Sequence, residues 1–276
     1  MSVPPDGPSE AGPPDRLTKK ANVGMSHSFG HSDSDQKVVG LTEAVDSPAR
    51  GQSVGQVARR RALAAVCNEQ FGYFTTADAQ ASGYDRRSRS YQRRSGNWRV
   101  TEAPGVMRVA NWPDDCHEGA HSWALWFGPL FQATSWTGLE LFDLAPVDLT
   151  RPVDVVLLEG TVLDDVFSRS AREHLWLARR SGQVVLHRVQ RARRAATIGS
   201  VQPDSAAAPI IRYGVAVRPA AEALCLALSD DRHRTAAREL TLQLLDGGRI
   251  DPEDLGQTAR AVGATRMINL MWELSR

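Results

Sequence analysis

Between Asp85 and Gly96 the chain runs R-R-S-R-S-Y-Q-R-R-S, five arginines with no acid among them and Tyr91 as the only large apolar side chain. A segment of that composition cannot build a core of its own. As a helix it has to turn its guanidinium groups to solvent or to an anionic partner. The flanking residues favour a helix, because Asp85 is a good N-cap and Gly96 a good stop. Just upstream, Thr75 or Thr76 can cap a short helix through Ala81 that Gly83 closes. Two short helices joined across a glycine turn make a helix-turn-helix pattern.

On the second helix Arg86, Arg89 and Arg93 recur at i, i+3 and i+7, and Arg87 and Arg94 form the adjoining row. Two neighbouring faces thus carry cations suited to phosphates and guanine edges. After Gly96, the runs from Trp98 to Glu102 and from Val106 to Ala110 alternate as strands. Ala103, Pro104 and Gly105 supply the turn of a hairpin bearing Arg99 and Arg108. A helix-turn-helix followed at once by a basic hairpin reads as a winged helix. Arg86, Arg87 and Ser90 are the expected base readers, where a bidentate arginine to guanine discriminates by about 1 to 3 kcal/mol. Arg93, Arg94, Arg99 and Arg108 are expected on phosphates, and Arg89 stands in the same DNA-facing set.

The order F-G-Y-F-T-T-A-D-A-Q-A-S-G-Y, arginine-rich helix, G-N-W-R-V, P-G-V-M-R-V resembles the N-terminal winged-helix domain of AbiEi-family antitoxins of type IV toxin-antitoxin systems, over about residues 59–113. The later pieces ATSWTGLELFDL, PVDVVLLEG, VVLHR, YGVAVRPAAEALCLAL and LLDGGRIDPEDL resemble the rest of such proteins in the same order. Where such domains place apolar anchors in the second helix, this chain has Arg89 and Gln92. Where they place an aromatic in the wing, it has Met107, whose flexible thioether can fill the gap. The resemblance implies a transcriptional regulator that represses its own operon through repeated double-stranded DNA sites. Its functional counterpart would be a nucleotidyltransferase toxin, countered without a stable complex.

Charge and residue usage exclude several other classes. The formal net charge is only +1, yet residues 57–110 hold ten arginines against Glu69, Asp78, Asp85 and Glu102. The only lysines are Lys19, Lys20 and Lys37, which removes a P-loop lysine and a Schiff-base lysine from the rest of the chain. Cys67, Cys116 and Cys225 are odd in number and widely spaced, which favours free thiols in a reducing compartment, the cytoplasm. No apolar run is long enough to span a bilayer.

Residues 1–55 are rich in Pro, Gly, Ser and Asp and are expected to be disordered; Met25 is a second candidate start. A first helix from Gln56 to Phe71 opens with Arg59, Arg60 and Arg61, which either touch DNA backbone or solvate the helix. Trp123, Trp126 and Trp136 sit among other large apolar residues and read as core rather than as a ligand cage. Cys116, His117 and His121 have a spacing that could meet a metal, but a fourth ligand is missing. Val153 to Leu158 and Val184 to His187 read as strands around a helix from Asp165 to Arg179. Arg188, Arg191, Arg193 and Arg194 form a second basic cluster, a solvated loop or a secondary nucleic-acid contact. From Pro219 onward leucine spacing marks about four helices, with Asp251 and Asp254 as a cap pattern.

Ser168, Ser170 and His174 lack an elbow motif and an orienting acid, so they read as helix surface. Asp154, Glu159, Asp164 and Asp165 lack the lysine that a metal-dependent nuclease would need. No catalytic set, metal or cofactor is expected. The expected architecture is α+β: a winged helix over 56–113, then over 114–276 a mixed α/β region and a helical C-terminal portion. The expected function is a cytoplasmic DNA-binding regulator and antitoxin. A stand-alone regulator without a toxin, a nucleic-acid-processing enzyme, and a protein-interaction module using the tryptophan-rich segment are the alternatives.

Overall fold

The computed structural model describes residues 54–157, 161–187 and 209–276. Of the tail expected to be disordered over 1–55, residues up to 53 lie outside them, whereas Val54 and Gly55 are helical; the second arginine cluster, Leu158 and Glu159 also lie outside. Helix α1 (Val54–Glu69) ends at a turn where Phe71 and Gly72 both take positive φ, reversing the chain into strand β1 (Tyr73–Thr75). Trp112 lies over Gly72 so closely that a Cβ there would meet its ring at 2.4 Å, so only glycine fits. Helices α2 (Thr76–Ala81) and α3 (Arg86–Arg94) follow, then the hairpin β2 (Trp98–Val100) and β3 (Val106–Val109). The three strands form an antiparallel sheet ordered β1-β3-β2. The segment expected to form a winged helix thus holds three helices and a three-stranded antiparallel sheet.

The two faces of that small sheet pack differently, because successive side chains on a strand point opposite ways. One face carries Phe74, Trp98 and Met107 into a core with Leu63 and Cys67 of α1, Ala79 of α2 and Tyr84. Trp98 sets its edge against Phe74 and Tyr84 at 4.8 and 4.9 Å, an aromatic cluster in the favoured geometry. Met107 is buried there. The other face carries Tyr73 and Val106, with Ala103 of the hairpin turn, into a second core dominated by helix α4 (Glu118–Phe127). The helix-turn-helix unit is therefore fused to the rest of the chain through shared side chains.

Trp123, Trp126 and Phe127 of α4 lie on a five-stranded mixed sheet of strand order β6-β5-β4-β8-β7. Its strands are β4 (Phe131–Ala133), β5 (Val153–Leu157), β6 (Val184–His187), β7 (Ile210–Arg212) and β8 (Val215–Val217). β5 pairs in parallel with β6 and β4 with β8, while β4 with β5 and β7 with β8 run antiparallel. The connection between β5 and β6 is helical: a short α6 (Leu163–Val166), then α7 (Arg169–Arg180) capped by Ser168. Ser170 and His174 lie on α7, and the His174 ring meets the backbone carbonyl of Ser170 at 2.7 Å.

Helix α5 (Ser135–Leu141) is buried along its whole length and joins the sheet to a third core. That core gathers helices α8 (Ala220–Ser229), α9 (Arg234–Asp246), α10 (Pro252–Val262) and α11 (Thr265–Leu274). Asp251 caps α10 by accepting from the Glu253 amide, as its position suggests. The fold class is α+β. All three tryptophans assigned to the core are buried. Among the described residues no helix is long and apolar enough to cross a membrane.

The joint between the helix-turn-helix unit and the remainder is polar at its rim. His121 of α4 has Nδ1 2.6 Å from the Asp115 carboxylate and Nε2 2.6 Å from the Tyr213 carbonyl oxygen, and its ring stacks on Phe71 at 5.0 Å. Asp115 also accepts from the Tyr73 hydroxyl at 2.7 Å and from the His117 amide. Burial alone would raise the Asp115 carboxyl; these donors outweigh it and hold it well below the ordinary range.

Candidate nucleic-acid interface

The helix-turn-helix is set by its caps. Thr75 and Asp78 form a reciprocal capping box at the start of α2: the Asp78 amide donates to the Thr75 hydroxyl and the Thr75 amide to the Asp78 carboxylate. Gly83, at φ +87, turns the chain in a conformation that disfavours any side chain. Asp85 then caps α3, accepting from the Ser88 amide at 2.7 Å and from its hydroxyl at 2.5 Å. These bonds hold the Asp85 carboxyl below its ordinary value.

Helix α3 has no buried side chain. It is held at its ends: Arg89 donates to the Tyr84 carbonyl at 3.3 Å, and Asn97 donates to the Gln92 side chain at 2.8 Å. Arg86, Arg87, Arg93 and Arg94 are exposed, and Tyr91 is 60% exposed. Ser90 is half-buried. Arg89 is half-buried too and turns partly inward through its bond to Tyr84, so it is the least available of the helix's arginines.

The hairpin departs from expectation. Arg108 is 2% exposed; it donates to the Pro113 carbonyl, lies over the Tyr73 ring at 5.2 Å and has Glu118 at 3.8 Å. It cannot reach a phosphate, and its assignment to DNA is corrected here. Arg99 donates to Glu118 at 2.5 Å and, though half-exposed, points to the sheet face that packs on α4. Ala103 and Val106, at the turn, are fully buried. The hairpin is a packing element, and its two cations share one carboxylate. A signal for this was available: Arg99 and Arg108 are directly opposite in the register, and like charges so placed repel unless an acid lies between them.

Sequence reasoning left Arg59, Arg60 and Arg61 open between DNA and solvent. The structure separates two of them. Arg59 donates to the Gly83 carbonyl at 3.4 Å and lies over the Tyr84 ring at 5.6 Å, so it braces α1 against the turn between α2 and α3. Arg60 lines a groove of about 410 Å³ between α1 and α3, together with Arg59, Asp85, Arg87, Ser88 and Tyr91. No family model matches the chain. No curated protein matches it either. What this surface can bind therefore follows from its own chemistry: cations on an exposed helix, a cationic groove beside it, and one acid already engaged in a cap.

A second concavity, of about 500 Å³, lies behind the hairpin. Arg99, Glu118, Glu140 and Arg151 line it, with Val100, Val147 and Leu149 among its apolar residues. Burial pushes the Glu140 carboxyl up to about 7 even though Arg151 donates to it at 3.1 Å. Cys116 and His117 also line this cleft, but His121 has both ring nitrogens in hydrogen bonds elsewhere. Within sheet and helix, Asp154 accepts from the Trp136 amide at 3.1 Å and meets His187 at 2.6 Å, a buried polar pair that links β5, β6 and α5. The sequence gives no warning of it.

Proposed function

We propose that the protein is a cytoplasmic DNA-binding transcriptional regulator that reads a duplex with α3, and that it is the antitoxin and autorepressor of a type IV toxin-antitoxin operon. The observation that carries the first half is α3 itself: Arg86, Arg87, Arg93 and Arg94 exposed on a capped helix that contains no acid. A helix of this kind fits the major groove, and arginine is the side chain that pairs best with guanine edges and with phosphates. Arg86 and Ser90 share a face for base contacts, and Arg93 and Arg94, near the helix end, suit the backbone. Arg108 has no part in this interface. The antitoxin role follows from the family resemblance, with a nucleotidyltransferase toxin countered without a stable complex.

Titration of the full chain into labelled duplex from upstream of its own gene, against an unrelated duplex, tests the reading. Binding should favour the upstream duplex and weaken steeply with salt, each phosphate contact adding about 0.9 to the log-log slope. Equal affinity for both duplexes, or binding indifferent to salt, would refute it. The toxin half is tested by co-expression: growth should be rescued by this chain while the two proteins fail to co-purify.

A further inference from the structure

We infer that the groove between α1 and α3 holds one phosphate of the duplex backbone, taken between Arg60 of α1 and Arg87 of α3 with Tyr91 beside them. This rests on the DNA-binding reading above and adds the first helix to the interface. It also moves Arg87 from the base readers to the backbone contacts. The two guanidinium groups come from separate elements yet line the same space of about 410 Å³. Arg87 and Tyr91 are one helical turn apart and so share a side of α3, displaced from the side that carries Arg86, Ser90 and Arg93.

Four features suit the groove to a phosphodiester. Its lining carries Arg59, Arg60 and Arg87 against the single acid Asp85, so an anion is favoured. Asp85 is occupied by the amide and hydroxyl of Ser88. Arg59 is tied to Gly83 and stacked on Tyr84, which fixes the distance between α1 and the turn before any ligand arrives. Tyr91, 60% exposed, adds a neutral hydroxyl donor of the sort that commonly meets backbone phosphates.

The test measures salt dependence and sequence preference of the full chain and of Arg60→Ala, Arg87→Ala, their double variant, Arg60→Lys and, as a control outside the interface that should change neither, Arg169→Ala on α7. Thermal melts confirm that each variant is folded. Arg60→Ala and Arg87→Ala should each weaken binding to both duplexes by the same factor and lower the salt slope by about 1. The double variant should lose less slope than the sum, since both groups meet one phosphate. Arg60→Lys should recover most of the slope. An unchanged slope in Arg60→Ala overturns the grip while leaving DNA binding intact; a relaxed preference in Arg87→Ala does so too, because Arg87 would then read a base. Absence of any duplex binding by the wild type overturns the reading beneath it as well. Inorganic phosphate at matched ionic strength should not displace the duplex; displacement would make the ligand a free anion and overturn the backbone assignment.

Discussion

Two arginines of the same short segment show how far position outweighs residue type. Arg94 is exposed on α3, whereas Arg108 is buried between Tyr73, Glu118 and the Pro113 carbonyl. Arg108→Ala removes a buried side chain and its bond to the Pro113 carbonyl, while Glu118 keeps Arg99, and should cost roughly 2 kcal/mol. Arg94→Ala should stay within about 0.5 kcal/mol. Urea melts compare them directly, and equal midpoints would contradict the packing described. Glu140 provides a pH prediction. Its carboxyl is raised from 4.5 to about 7 in the folded chain, so the folded state keeps a proton that the unfolded chain releases, and stability falls as pH rises across that window. Glu140→Gln removes the penalty. Relative to wild type, the variant should gain up to roughly 3 kcal/mol between pH 4 and pH 8. A gap that does not widen with pH would show that Glu140 titrates normally.

At the scale of elements, the helices were legible where capping chemistry is written locally. Thr75, Gly83, Asp85 and Gly96 bracket α2 and α3 in sequence as they do in space. Strands β1, β4, β7 and β8 were not legible, because three residues leave no room for a period-two pattern and β1 and β4 are buried on both faces. The start of α7 was read too early; Asp164 and Asp165 belong to α6, and Ser168 makes the true cap. The hairpin arginines were misread because an arginine on a strand looks the same whether water or a packed helix faces it. Only the register and Glu118 of α4 decide. Helix α3, lacking buried side chains, should behave as a local unit. Asp85→Ala should loosen that helix, speed its amide exchange and weaken the proposed DNA binding, with little change in the global melt. A drop of several degrees would place α3 in the cooperative core.

Across the whole molecule, the helix-turn-helix unit does not own its back face. Tyr73, Ala103, Val106 and Arg108 are covered by α4 and its neighbours, so residues 56–113 alone would expose all four. That fragment should show poorly dispersed amide resonances and no sharp melt, while the full chain unfolds with its sheet and α4 together. A fragment melting at the temperature of the intact chain would mean that the shared core contributes nothing. The same arrangement has an evolutionary reading. Because no α3 side chain is buried, substitutions there disturb none of the three cores. A lineage could vary that surface position by position while the scaffold beneath stays the same.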